Sequence, residues 1–461
     1  MEPDTLATAS EPRSPWAPGL RGLTLGLLSV VLLVAFEAMA ISTAMPVAAQ
    51  DLGAVAEYGL VFSSFLTTSL FGMVWSGQVC DRSGPLWPVA GGVTVFGAGL
   101  LVAGFAPDMG VLVAGRAVQG LGAGLTMVGL YVLVARAYPE ELRPRVFTAF
   151  AVGWLLPSLV GPALAGWVAT QLGWRWVFLA IPVLVLAPLA VLVPRLRSLG
   201  APPVGAAPPR GGRARRSWLA LGAAAGVALL QYAGQHRDLT GLAAALTALA
   251  LLAPCLPPLL PAGTLRARPG LPTTILLRGV LAGAMIGAET FTPLMLVTQR
   301  QIDPALAGTA LTLAAFGWTL GSWYQGRSRL RLDRARFAQL GAVLVGLGIG
   351  GLAVAVVAPW PYPLAAACWG TIGIGMGLAW ATVNVLAMNA STPAQQGATS
   401  AALQVSDAFG QAAVTAVGGA LFSALHTAPG QDAGVFAALF AVSLLMAVVA
   451  VAYAPRMSRA R

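Results

Sequence analysis

The chain has 461 residues, 57% of them hydrophobic and only 9% charged, with a mean hydropathy of +0.78. A soluble domain carries about 25% charge, so a chain this poor in charge cannot wet its own surface; soluble proteins are excluded and an integral membrane protein is indicated. The net charge of +11 does not point to nucleic acid, because the basic residues sit in short segments between apolar runs rather than on one folded face.

A hydrocarbon core takes about 20 apolar residues per helix, and fourteen such runs are legible. The first six lie near 22–46, 58–79, 87–107, 110–135, 146–170 and 174–194. An arginine- and proline-rich stretch, RLRSLGAPPVGAAPPRGGRARR at 195–216, separates them from two further runs near 217–234 and 239–261, the second interrupted by Pro254, Pro257 and Pro258. The last six are near 272–298, 304–325, 337–358, 362–390, 397–425 and 432–454. The expected organisation is a tail (1–21), a six-helix unit (22–194), a linker (195–216), two extra helices (217–261), a second six-helix unit (262–454) and a short tail (455–461). The first run is too long for a cleavable signal and lacks a small-residue cleavage site, so it is expected to remain as a span.

All 27 basic residues are arginine, which together with abundant Ala, Gly and Pro suggests a GC-rich bacterial genome and a bacterial inner membrane. Cytoplasmic loops retain Lys and Arg during insertion. With the N-terminus inside, the inner tails and loops hold 22 arginines and the outer loops three (Arg175, Arg237, Arg300), while Arg116 and Arg278 fall within spans. Both termini are therefore expected in the cytoplasm. Cys80, Cys255 and Cys368 show no paired spacing, so neither a disulfide framework nor a metal site is indicated; His236 and His426 fall in outer loops or at span ends.

The chain also repeats itself. GLGAGL at 120–125 matches GIGMGL at 373–378, and the same offset of 253 sets Val132-Leu133 on Val385-Leu386 and Gly166 on Gly419. Paired halves are a mark of secondary transporters. The offset brings Glu37, in VAFEAMAISTAMP, to within one residue of Glu289, in GAETFTP, so each half has an acid in its first helix. Arg116 maps onto Trp369 and Trp154 onto Asp407: the halves share a frame but not a charge pattern.

Three stretches carry recognisable motifs. The loop GQVCDRSGPLWP (77–88) holds Gly77, Asp81, Arg82 and Gly84; GRAVQGLGAG (115–124) lies in the fourth run; GPALAG (161–166), with Gly161, Pro162 and Gly166, lies in the fifth. The first resembles the major facilitator superfamily signature G-x-x-x-D-R-x-G-R, with Pro85 where a second basic residue usually stands. The second resembles the superfamily's R-x-x-Q-G signature, and the third its antiporter signature, with Pro157 and Ala165 at expected glycines. Trp174-Arg175-Trp176 and the fourteen spans are similar to the drug:proton antiporter branch. The resemblance implies an all-α polytopic fold: two six-helix bundles related by a pseudo-two-fold axis around a central cavity, two extra helices packed outside, and alternating access by rocking.

The residues themselves suggest roles. Asp81, at a helix boundary, can pair with an arginine, for which Arg136 is placed, or with the positive end of a neighbouring helix, holding the inner side closed. The small residues of GPALAG let helices approach closely. A carboxylate inside a bilayer costs about 2.5–3.5 kcal/mol on insertion scales, so Glu37 needs a reason. Counted at about 1.5 Å per residue, Glu37 lies roughly 13 Å and Arg116 roughly 10 Å below the outer ends of their helices, so the two can pair. Glu289 faces a tryptophan at the position corresponding to Arg116 and has no evident cation, which makes it the first candidate for carrying a proton; Asp407, near the midplane, is the second. The large side chains nearest these acids or their counterparts are Phe36, Met39, Trp154, Phe291, Trp318, Trp369 and Trp380, of which about half are expected to line the cavity, since most large side chains of membrane helices face lipid or other helices.

The functional expectation is a monomeric, proton-coupled exporter of hydrophobic, often cationic, small molecules, without cofactor. An exporter of one metabolite, lipid or peptide keeps the fold and changes the cargo. A transporter-like sensor is disfavoured by the lack of a sizeable soluble domain. No nucleophile with a base, metal-ligand cluster or phosphate loop supports enzymatic activity.

Overall fold

In the computed structural model, residues 14–53, 58–198, 212–234, 238–302, 304–327, 333–358, 360–425 and 433–458 are described. Expectations for residues 1–13 and 199–211, and for His236 and His426, fall outside them. The described residues form fourteen α-helices: α1 (Pro18–Asp51), α2 (Tyr58–Ser83), α3 (Leu86–Gly104), α4 (Met109–Ala137), α5 (Arg143–Val168), α6 (Arg175–Ser198), α7 (Gly212–Ala233), α8 (Leu239–Cys255), α9 (Leu271–Arg300), α10 (Pro304–Arg327), α11 (Arg334–Val357), α12 (Tyr362–Asn389), α13 (Gln396–Leu425) and α14 (Ala433–Tyr453). A π-helical turn, Ala169–Gly173, joins α5 to α6.

Local chemistry sets several boundaries. Asp108 and Asp238 cap α4 and α8, accepting from the amides of Val111 and Gly241 at 2.9 Å, as a short acidic side chain at an N-cap does. Gly84 ends α2 with φ +82°, a left-handed conformation in which a Cβ would be strained. The proline cluster after α8 stops that helix at Cys255 and leaves a 3-10 turn, Pro257–Leu259.

Ten of these helices are long and apolar enough to cross a membrane: α1, α3–α6, α8, α9, α11, α12 and α14. The other four are α2, α7, α10 and α13, of which α2, α10 and α13 lie at the seam of the molecule, where α2 packs on α13 and α10 on α5. Three of them bury polar side chains: Ser69, Ser76 and Asp81 of α2, Ser322 and Gln325 of α10, and Ser400, Gln404 and Ser406 of α13. A position that faces another helix rather than lipid can hold a polar side chain, which lowers the hydropathy of the segment that carries it.

The packing repeats with the sequence offset. The starts of α9, α12 and α13 (Leu271, Tyr362, Gln396) each lie 253 positions after those of α1, α4 and α5 (Pro18, Met109, Arg143). In the first set α1 packs on α5 and α6, α4 on α2 and α3, and α3 on α6; in the second α9 packs on α13 and α14, α12 on α10 and α11, and α11 on α14. Buried apolar side chains gather correspondingly, one cluster drawn almost entirely from α1–α6 and the other mainly from α7–α14. The α7–α8 hairpin rests through α7 on both α2 and α13.

Candidate substrate cavity and closing latch

In the first set of helices, Glu37 on α1 and Arg116 on α4 form an ion pair at 2.6 Å, with side chains 1% and 4% exposed. The same Nη1 of Arg116 donates to Gln119 Oε1 at 2.6 Å, its Nε to the Val61 carbonyl at 3.4 Å, and its guanidinium lies 4.4 Å from the centre of the Phe65 ring. The spacing of Arg116 and Gln119 puts both on one helix face. Gly120 lets α4 approach α2, since a Cβ there would lie 2.2 Å from the Phe65 carbonyl oxygen. The GRAVQG stretch thus supplies a cation, its neutral acceptor and the close crossing that seats both.

In the second set, Glu289 on α9 is half-buried and has no hydrogen-bond or ionic partner among the described residues. Pro293, inside α9, has no N–H to give to the Glu289 carbonyl four residues back, so the helix ladder is interrupted where this acid stands. Asp407 on α13 does have a cation: Arg278 of α9, at 3.4 Å. Sequence reasoning gave Arg278 no role. The signal was present, because counted at about 1.5 Å per residue Arg278 and Asp407 lie roughly 10 and 16 Å from the starts of α9 and α13, within reach of a long side chain.

The expected wall residues divide. Trp318 and Trp380, on α10 and α12, are half-buried and meet edge to face with ring centres 5.3 Å apart. Phe36 and Met39 are half-buried on α1 beside Gly161 of α5, where an added Cβ would lie 3.2 Å from Met39 Cβ. Trp154 is more than one third exposed. Two residues depart from the expectation. Trp369 is 0% exposed and belongs to the helix core, and Phe291, also buried, stacks on Phe422 at 6.0 Å; neither offers a free surface, because both fill space between helices. Gly166 is half-buried; the Pro162 side chain lies outside the described residues. A surface recess of about 350 Å³ belongs to the turn between α8 and α9 and touches none of these groups.

Where α2 and α4 end and α5 and α13 begin, the two sets are latched together. Asp81 accepts from the amides of Gly397 and Ala398 at 2.6 and 2.8 Å, so the carboxylate sits on the N-terminus of α13, where the helix presents free N–H groups and positive charge. Arg136 is not its direct partner, as one sequence alternative had it: Arg136 donates to the carbonyls of Cys80 and Pro393 at 3.0 and 3.1 Å and so ties α2, α4 and the segment before α13 together. Gly77 and Gly397 cross here, since a Cβ on Gly397 would lie 2.2 Å from the Gly77 carbonyl oxygen. Arg82 is exposed. Sequence reasoning missed two further links: Asn389 bridges Arg143 and Glu140, and Thr148 donates to the Ser322 carbonyl at 2.6 Å.

A family model described as Major Facilitator Superfamily matches residues 27–415. A Mycobacterium tuberculosis (strain ATCC 25618 / H37Rv) protein named as a probable multidrug-efflux transporter is 30% identical over 419 residues, covering 84% of this chain and 86% of its own. The multidrug transporter MdtP of Bacillus subtilis (strain 168) is 28% identical over 166 residues, 36% of this chain and 31% of that protein. Among solved structures, the proton:xylose symporter XylE aligns with a TM-score of 0.65 at 15% identity over 94% of each chain. The human organic anion transporter MFSD10 aligns with a TM-score of 0.62 at 14% identity, over 92% of this chain and 97% of that one.

Proposed function

Because this chain belongs to the Major Facilitator Superfamily of transporters, we propose that it is a proton-coupled exporter of hydrophobic, often cationic, small molecules, working as a monomer in a bacterial inner membrane. Its fourteen helices are read as fourteen spans with both termini in the cytoplasm, the arginine bias giving the orientation. Helices α1–α6 and α9–α14 are read as two six-helix bundles, a reading supported by their recurring packing pattern. The latch at Asp81, Arg136 and Asn389 is then the inner gate in its closed state, and the cavity faces outward.

The observation that carries the coupling is Glu289. A half-buried carboxylate without a partner among the described residues, on a helix interrupted by Pro293, has a negative charge to offer either to a proton or to a cationic solute. Exclusive occupancy links the two fluxes: a proton taken from outside displaces the solute, and its release inside frees the site for the next. Glu37, sealed against Arg116, is read as structural, and Asp407 as a second titrating site. Trp318, Trp380, Phe36 and Met39 supply apolar wall for the body of a solute, while Gly161 seats α5 against α1.

The test is transport of ethidium in proteoliposomes under an imposed pH gradient. Wild type is expected to move the dye with the gradient, and Glu289→Gln to lose at least about tenfold of that rate, the effect of roughly 1.4 kcal/mol. Undiminished, gradient-following movement in the variant removes Glu289 from the role.

A further inference from the structure

The two buried acid–arginine pairs are built differently. Glu37 and Arg116 meet at 2.6 Å with almost no exposure. Asp407 and Arg278 meet at 3.4 Å, with Asp407 15% exposed and Arg278 2%. A charge-assisted N–H···O bond is usually about 2.7–2.9 Å long, so the second pair is stretched and its acid reachable.

Arg278 does not depend on that acid alone. Its Nη1 donates to Asn384 Oδ1 at 2.8 Å and its Nη2 to Gln404 Oε1 at 3.2 Å. The guanidinium carbon lies 3.2 Å from the centre of the Trp380 ring, a favourable seat for a cation. Removing one partner of a buried pair normally strands the other charge, but here two neutral acceptors and a ring face remain. Asp407 in turn keeps Gln411, which donates to its other oxygen at 3.0 Å.

The backbone brings the pair together. A Cβ on Gly279 would lie 2.3 Å from the Ser406 carbonyl oxygen, and one on Gly410 would lie 2.0 Å from that of Gly279. Helices α9 and α13 therefore touch, main chain to main chain, at Gly279 next to Arg278 and on both sides of Asp407. Among the described residues Arg278 Nε has no acceptor, so the cation has unused donor capacity.

We propose that Arg278 is a positioning residue for Asp407, and that this pair opens once in each transport cycle while Arg278 stays seated on Asn384, Gln404 and Trp380. The transport cycle rests on the function proposed above; the seating of Arg278 does not. No other Asp, Glu, Arg or His occurs on α12, α13 or α14. Of the remaining helices packed on α9 and α13, α9 itself carries Glu289 and Arg300; α2 brings Asp81 and Arg82, and α4 Arg116 and Arg136; α7 brings Arg213, Arg215 and Arg216, α10 Arg327, and α11 Arg334 and Arg336.

The experiment has two arms on the full-length protein. In nanodiscs without substrate, tryptophan emission is followed through a pH titration, and the part that Trp380→Phe removes is assigned to Trp380. That part is expected in wild type and Arg278→Lys, and lost in Asp407→Asn and Arg278→Gln. Its absence from wild type, or its persistence in Asp407→Asn, overturns the proposal. Should Arg278→Gln fail to give a monodisperse protein, the double variant Arg278→Gln/Asp407→Asn, which strands no charge, takes its place with the same expected loss. In proteoliposomes, gradient-driven ethidium movement is expected to fall about tenfold in the double variant, roughly the effect of 1.4 kcal/mol, and wild-type movement there overturns the coupling role. If wild type itself moves no ethidium, the transport reading fails, while the emission arm still decides the seating of Arg278.

Discussion

At the scale of single residues, hydrocarbon sets the terms. Glu37 sits where an isolated charge is costly, and it has Arg116, Gln119 and the surrounding packing to hold it. Breaking such a pair from one side costs about 3–5 kcal/mol, and replacing both partners costs far less. Glu37→Gln and Arg116→Ala are therefore each expected to lower the unfolding temperature of the detergent-solubilised protein, with the double variant less damaged than the sum of the two. Strictly additive losses would mean that the two side chains do not act as a pair.

A second ion pair lies at the far end of α1, outside the apolar span that ends at Ile41. Asp51 accepts from Trp174 Nε1 at 2.9 Å and from Arg175 Nη1 at 3.0 Å. The indole N–H first, and then the guanidinium, hold its carboxyl below the ordinary value of 3.8. A carboxyl depressed in the folded state stabilises above its unfolded pKa, and that contribution is lost as pH falls through the folded one. Asp51→Asn is thus expected to unfold at a lower temperature than wild type at neutral pH, and the gap to close below about pH 4. A gap independent of pH would assign the loss to the hydrogen bonds alone.

At the scale of helices, glycine decides how close two elements come. Gly77 and Gly397 allow α2 and α13 to cross with backbone against backbone, and a Cβ at Gly77 would lie 2.6 Å from the Gly397 carbonyl oxygen. Gly77→Leu is expected to force the helices apart and lengthen the bonds from Asp81 to the start of α13. The variant should lose stability of about 1–3 kcal/mol, the range for overpacking, measured by thermal unfolding beside Ser83→Ala as a control near the same helix end. The crossing of Gly234 with Gly419, where a Cβ on Gly419 would lie 2.5 Å from the Gly234 carbonyl oxygen, fastens α7 to α13 in the same way. The sequence marked Gly77 as a motif letter and Gly419 as a repeat position; which helix each one faces was settled by the packing, because a small residue permits approach without naming a partner.

At the scale of the whole molecule, the latch gives a probe of state. Cys80 is completely buried beside Asp81, while Cys255 and Cys368 are half-buried. In a background with Cys255 and Cys368 replaced by alanine, alkylation of Cys80 in the detergent-solubilised protein by a water-soluble maleimide is expected to be slow. Asp81→Asn, which removes the charge from the start of α13, should speed it several-fold by populating the opened form. An unchanged rate would mean that Asp81 does not hold the latch closed.

The sequence by itself determined the solvent of this chain, its helices and their order, the repeat, and that Glu37 and Arg116 lie at depths that let them pair. These follow from composition, from the length a bilayer demands, and from depth counted along a helix, all of them one-dimensional quantities. Tertiary structure alone decided the rest: that Arg278 reaches Asp407, that Asp81 rests on the amides of α13 rather than on Arg136, that Asn389 bridges Arg143 and Glu140, and that Trp369 is core. Each of these depends on the azimuth of a side chain around its helix and on which neighbour stands there. In helices apolar on nearly every side, the hydrophobic pattern does not encode that direction.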